Sequence, residues 1–111
     1  TDTKETSPVK LSETLTVCPD ANKVYYYQGI PTEAGTVMQV TNYSETGIRK
    51  VIADLKAKVG NNFTIVIKPT KGAKYRNMID MLDECAITNN KRYALLEIDP
   101  DTEALIKRSG K

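Results

Sequence analysis

With 111 residues, the chain is long enough for one domain that buries roughly two-thirds of its unfolded surface. Sixteen basic and 14 acidic side chains leave a net charge of +2, too weak a field to name nucleic acid as a partner. Histidine is absent, which removes the side chain most used for acid–base chemistry at neutral pH and the commonest metal ligand.

The opening run TDTKETSPVK is polar and reads as a flexible linker. No signal peptide or membrane span occurs in the chain. The polar start without methionine is what we expect of a segment cut downstream of a membrane anchor. The domain plan is therefore a linker over 1–13, a folded domain over 14–98 and a tail over 99–111.

TLTVC, Thr14 to Cys18, is β-branched and half apolar, as a strand requires. PDANK supplies turn chemistry through Asp20 and Asn22, and VYYYQG from Val24 completes a hairpin. Tyr25 and Tyr27 share one face of this strand and Tyr26 the other, with one face expected in the core and one wet. After the loop IPTEAGT, VMQVT (Val37 to Thr41) reads as a short extended piece.

The first helix is expected from Ser44 as its cap, with Tyr43 and Ile48 placed as a hydrophobic staple. Ile48, Val51, Ile52, Leu55 and Val59 recur at helical spacing, and Gly60 stops the run. FTIVIK, Phe63 to Lys68, is apolar enough for a central strand buried on both faces or nearly so. The second helix has no good cap. Its expected apolar stripe is Tyr75, Met78, Ile79, Leu82, Cys85 and Ala86, with Asp80, Asp83 and Glu84 turned to water. Asn89 and Asn90 can supply a left-handed stop. RYALLEI is the last strand, and the tail adds at most a turn around Ala104 to Ile106.

The order β-β-α-β-α-β makes the chain from Phe63 to Ile98 a right-handed β-α-β unit. Two helices with one apolar face each cover the same side of a sheet. The expected fold is an α+β two-layer sandwich, with both helices on one face of a mixed four- to five-stranded sheet.

Chemistry-bearing constellations are thin. The loop PTKGAK follows a strand and precedes a helix, yet it matches neither GxxxxGK[ST] nor GxGxxG and reads as a solvated turn. Asp80 and Glu84 lie one turn apart on the outer helix face with Arg76 beside them, which favours surface pairing over acid catalysis. No nucleophile has a base near it in sequence, so no enzyme activity, catalytic residue, cofactor or metal is expected. The three tyrosines could stack bases, but a strand with aromatic side chains explains them more simply. Asn42-Tyr43-Ser44 and Asn62-Phe63-Thr64 fit the glycosylation acceptor pattern, which chance produces often. Cys18 and Cys85 lie too far apart in sequence for a CxxC motif. A disulfide between them would require α-carbons within about 7 Å, and two buried thiols are the favoured reading.

From Leu15 to Glu97 the pattern resembles the periplasmic domain of the ExbD/TolR family. IVIKPTKGAKYRNMIDMLDECAITNNKRYALLEI looks like that family's strand, short loop, Tyr-led helix and closing strand, and LTVCPDANKVYYYQG like its opening hairpin. The acidic residue that members carry after the central strand is Thr70 here, and the loop from Ile30 to Thr41 is an elaboration. The resemblance implies a single-pass inner-membrane protein whose periplasmic domain binds other proteins. It would be a subunit of the proton-driven ExbB–ExbD–TonB motor that energises outer-membrane nutrient transport. ExbB would be met through a membrane helix outside this chain, TonB through its periplasmic segment, and a second copy would form a homodimer. The alternatives are a TolR-like domain of the Tol-Pal system that binds peptidoglycan or TolA, and an unrelated α+β nucleic-acid-binding module. The expected contact segments are two strands that could lie at a sheet edge. One is Val24, Tyr25, Tyr26 and Tyr27; the other includes Tyr93, Leu95 and Glu97. The linker at Lys10 to Thr14 could be exchanged between copies.

Overall fold

The computed structural model describes residues 13–29, 36–44 and 46–109. It contains β1 (Thr14–Pro19), β2 (Val24–Gln28), β3 (Gln39–Thr41), α1 (Ile48–Val59), β4 (Thr64–Ile67), α2 (Tyr75–Ile87), β5 (Tyr93–Leu95) and α3 (Pro100–Ser109). The five strands form one mixed sheet in the order β3-β2-β1-β4-β5. β1 pairs antiparallel with β2 and parallel with β4, and β5 extends the parallel half. The fold is the α+β sandwich that the element order predicts, with α1 and α2 over one face of the sheet. The proposed strand exchange at Lys10 falls largely on residues outside those described.

Alternation along the strands divides the interior in two. Leu15, Val17, Val24, Ile65 and Ile67 point toward α1 and α2 and pack with Ile48, Ile52, Phe63, Met81 and Cys85. Cys18, Tyr25 and Tyr27 point the other way, where Met38 and Leu105 of α3 close over them. Neither face of β2 is therefore wet: Tyr25 and Tyr27 are buried under α3, while Tyr26 packs partly against the main core. α3 covers only part of that second face, so β4 is buried on one side and half-buried on the other, not buried on both.

Several local expectations are corrected. α1 starts at Ile48 after Gly47, not at Ser44. Asn42 accounts for the delay: its side-chain oxygen accepts the Ser44 N–H at 2.9 Å and the Ser44 hydroxyl at 2.5 Å, and its carbonyl accepts the Ile48 N–H at 2.9 Å. This Asx turn uses Ser44 before it can cap. Gly47 is needed here because a Cβ would lie 2.6 Å from the Asn42 carbonyl oxygen. The stops hold as expected, with Gly60 at φ 92° and Asn89 at φ 59°.

α2 is rotated from its expected stripe. Asn77, Met81, Glu84 and Cys85 are its buried residues, whereas Tyr75 is 76% exposed and Ala86 faces solvent. Two polar side chains can turn inward because each has a partner. The Asn77 side-chain oxygen accepts the Lys74 N–H at 2.8 Å and so caps the helix. Glu84 takes a two-point contact from Arg49 of α1, at 2.8 and 3.1 Å.

α3 is the largest departure from the sequence reading. Asp99 accepts the Thr102 N–H at 3.2 Å, and Pro100 takes the first helical position. Acidic residues then fill the first turn and Lys107 and Arg108 the last, the charge order that a helix dipole favours.

Candidate functional site

A mixed sheet of this order has two edges, β3 and β5. Val24 to Tyr27 is not one of them: β2 lies between β1 and β3 and is paired on both sides. Its inner position follows from the short third strand β3, where the sequence shows only an extended piece. Tyr25 and Tyr27 also have buried rings, so they offer no platform for stacking bases. Of the two expected contact segments, only Tyr93 to Glu97 runs along an edge.

The backbone direction at β5 follows from its bonds. Ile65 donates its N–H to the Arg92 carbonyl and Leu96 donates its own to the Ile67 carbonyl, both at 2.9 Å. In a parallel pair a residue's N–H and C=O point to the same side. Arg92, Ala94 and Leu96 are thus turned to β4, while Tyr93 and Leu95 aim their N–H and C=O outward. Among the described residues no strand pairs that outer side.

The side chains of this edge are unusually apolar for an open strand. Tyr93, Leu95 and Leu96 are 47%, 46% and 51% exposed. An open apolar edge carries a penalty in water and invites another strand. Leu95 sits outside the main core, on the outermost strand. Beside it, a groove of about 610 Å³ is lined by Pro69, Met78 of α2, Leu95 and Ile98. A smaller one, about 400 Å³, runs past Leu82 and Tyr93. Charge brackets the apolar stretch, with Lys91 and Arg92 before it and Glu97 after it, all exposed.

Several polar groups away from this edge are tied into the scaffold. Thr70, in the loop before α2, donates its hydroxyl to Asp20 at 2.7 Å. The Tyr43 hydroxyl donates to the Asp20 carbonyl at 2.7 Å, and burial beside Asp80 raises its pKa to about 12. Under α3, Lys68 meets Asp99 at 2.7 Å and Thr102 donates its hydroxyl to Asp99 at 2.8 Å. With that proton used, Tyr27, 3.0 Å from the Thr102 oxygen, must be the donor in their contact. Burial alone would raise the Asp99 pKa, but the bonds from Lys68 and Thr102 outweigh it and hold it at about 2. Asp99 and Thr102 escaped the sequence reading, although Asp-Pro-Asp-Thr-Glu is a helix-start signal.

Cys18 and Cys85 are free and buried, one under α3 and the other in the main core. Burial pushes their thiols up to about 12 and about 11. Asp80 and Asp83 are exposed as expected, whereas Glu84 is not a surface carboxylate but the buried partner of Arg49. Among the described residues no three Cys, Asp or Glu side chains are placed to hold a metal ion, and no helix is long and apolar enough to cross a membrane. No family model, curated protein or solved structure matches this chain.

Proposed function

We propose that this domain is a protein-binding module of the ExbD/TolR kind, and that it takes up an extended partner segment as an added strand along β5. The observation that carries the reading is the open, apolar β5 edge, where Tyr93 and Leu95 offer main-chain donors and acceptors. Strand addition uses such an edge for affinity and neighbouring side-chain pockets for selectivity. The groove at Pro69, Met78 and Ile98 lies where a partner's alternate side chains would fall. The element order that the resemblance implied supports the same reading. The partner would then be the extended periplasmic segment of a TonB-like protein, with the module anchored to the inner membrane and an ExbB-like subunit met outside this chain.

The test is an NMR titration of the domain with that TonB-like segment, repeated on Leu95→Pro. Proline at 95 removes an outward N–H and spares the bonds to β4. Shifts at Tyr93 to Glu97 that vanish in the proline variant are expected. Shifts that instead follow Lys50 or Arg76 on the helix faces would replace strand addition with a charged-surface contact.

A further inference from the structure

We infer that the β5 edge selects its partner by side-chain spacing. The strand it accepts runs antiparallel to β5 and carries two apolar side chains two residues apart, with a carboxylate two residues further toward its C-terminus. The inference rests on the reading of β5 as a strand-accepting edge, but the selectivity comes from α2.

α2 has a second apolar flank. Helical spacing puts Met78, Leu82 and Ala86 on one side of it, turned away from Asn77 and Glu84, which meet the β1–β2 turn and α1. Met81 and Cys85 lie between the two sets and face the main core. The flank borders β5 instead: Met78 lines the larger groove with Leu95 and Ile98, and Leu82 and Ala86 line the smaller one with Tyr93. Tyr93 and Leu95 pair with Ile65 and Ile67 and so share their face of the sheet, the one that α2 covers. A strand laid against β5 would therefore find an apolar wall already built beside one of its faces.

The spacing of that wall fits a strand. Met78 and Leu82 are one helical turn apart, a rise of about 6 Å, and alternate side chains of a strand are about 6.8 Å apart. One apolar side chain can thus enter beside Met78 and Leu95 while the next but one enters beside Leu82 and Tyr93. Both of those partner residues exchange main-chain hydrogen bonds with β5, and the residue between them points to the other face. Charge then sets the direction. Of the described residues that line the smaller groove only Lys91 is charged, whereas Lys71 and Glu97 offset one another at the larger. A partner carboxylate belongs at the Lys91 end. In the antiparallel ladder, the more stable of the two, that carboxylate follows the apolar pair.

A capped nine-residue peptide tests this, with isoleucine at its third and fifth positions, glutamate at its seventh and threonine elsewhere. Titrated into the 111-residue chain and followed by NMR, it should shift Tyr93, Leu95, Met78 and Leu82. Serine for either isoleucine, or moving the second isoleucine to the sixth position, should weaken binding about tenfold or more, as losing one buried apolar side chain does. Lysine for the glutamate should weaken it about threefold. Lys91→Glu should restore that lysine peptide without disturbing the fold, because Lys91 is exposed. The reversed sequence should bind more weakly than the original. Binding at Tyr93 and Leu95 that ignores the isoleucine spacing, or that favours lysine with Lys91 intact, overturns the selectivity and leaves strand addition standing. Binding that needs both isoleucines yet survives Leu95→Pro overturns strand addition and leaves the α2 wall as the contact. A peptide that does not bind at millimolar concentration overturns the inference, and strand addition is then judged on the TonB-like segment alone.

Discussion

Arg49 and Glu84 join α1 to α2, and their unequal burial leads to an asymmetry that mutation can read. The Glu84 side chain is 8% exposed and that of Arg49 is 34% exposed. Arg49→Met strands a carboxylate in the interior; breaking a buried pair this way costs about 3–5 kcal/mol, and the half-open partner places it near 3 kcal/mol. Glu84→Gln leaves the charge on a guanidinium that already reaches water, and glutamine keeps one acceptor for it. The loss of a charge-assisted bond, about 1.5–3 kcal/mol, is screened there to about 1–2 kcal/mol. Replacing both, Arg49→Met with Glu84→Leu, removes the desolvation cost with the attraction and should fall within about 1 kcal/mol of the parent. Urea unfolding at neutral pH, followed by circular dichroism with the slope checked for constancy, measures all three. If Glu84→Gln is the more damaging single change, or the double variant loses the sum of both singles, the burial argument is wrong.

The Asp99 clamp under α3 should show in acid. Its folded pKa of about 2 lies below its ordinary 3.8, so its contribution is complete above pH 4 and is lost as pH falls through about 2. With the side chain 37% exposed, screening reduces that contribution to about 1 kcal/mol. Asp99→Asn should flatten the stability–pH profile between pH 4 and 2, and an unchanged slope would exclude the clamp. In α2, Met81→Ala should cost about 3 kcal/mol and Leu82→Ala only about 1–2 kcal/mol, because Met81 is fully buried and Leu82 partly so; thermal melts in the reverse order would mean that the helix is rotated differently. Native protein should resist thiol alkylation and take two labels after denaturation, as buried thiols with raised pKa values do. A mass lower by two hydrogens, with no labelling, would reveal a disulfide.

Much of the fold was legible because the apolar spacing in α1 and β4 has one reading. Ile48, Ile52, Ile65 and Ile67 are buried where the pattern put them. α2 misled because hydropathy ranks Asn77 and Glu84 as surface residues, while a cap and a two-point ion pair let both turn inward. The second core escaped for a related reason: α3 is held by Asp99, Thr102, Lys68 and Tyr27 as much as by Leu105, and no hydrophobic period announces it. The edge itself could not be chosen from sequence alone. Which strand lies outermost depends on nonlocal pairing, and the three residues of β3 were enough to enclose the tyrosines of β2.

Amide hydrogen exchange along β5 tests most directly whether its outer side is the binding edge. In the dilute chain, Leu96, whose N–H is bonded to Ile67, should exchange more slowly than Tyr93 and Leu95, whose N–H groups face outward. Saturation with the TonB-like segment should slow Tyr93 and Leu95 and leave their alternation with Leu96 erased. If that segment binds while Tyr93 and Leu95 keep their fast exchange and protection appears on α1 or α2, β5 is not where this domain binds.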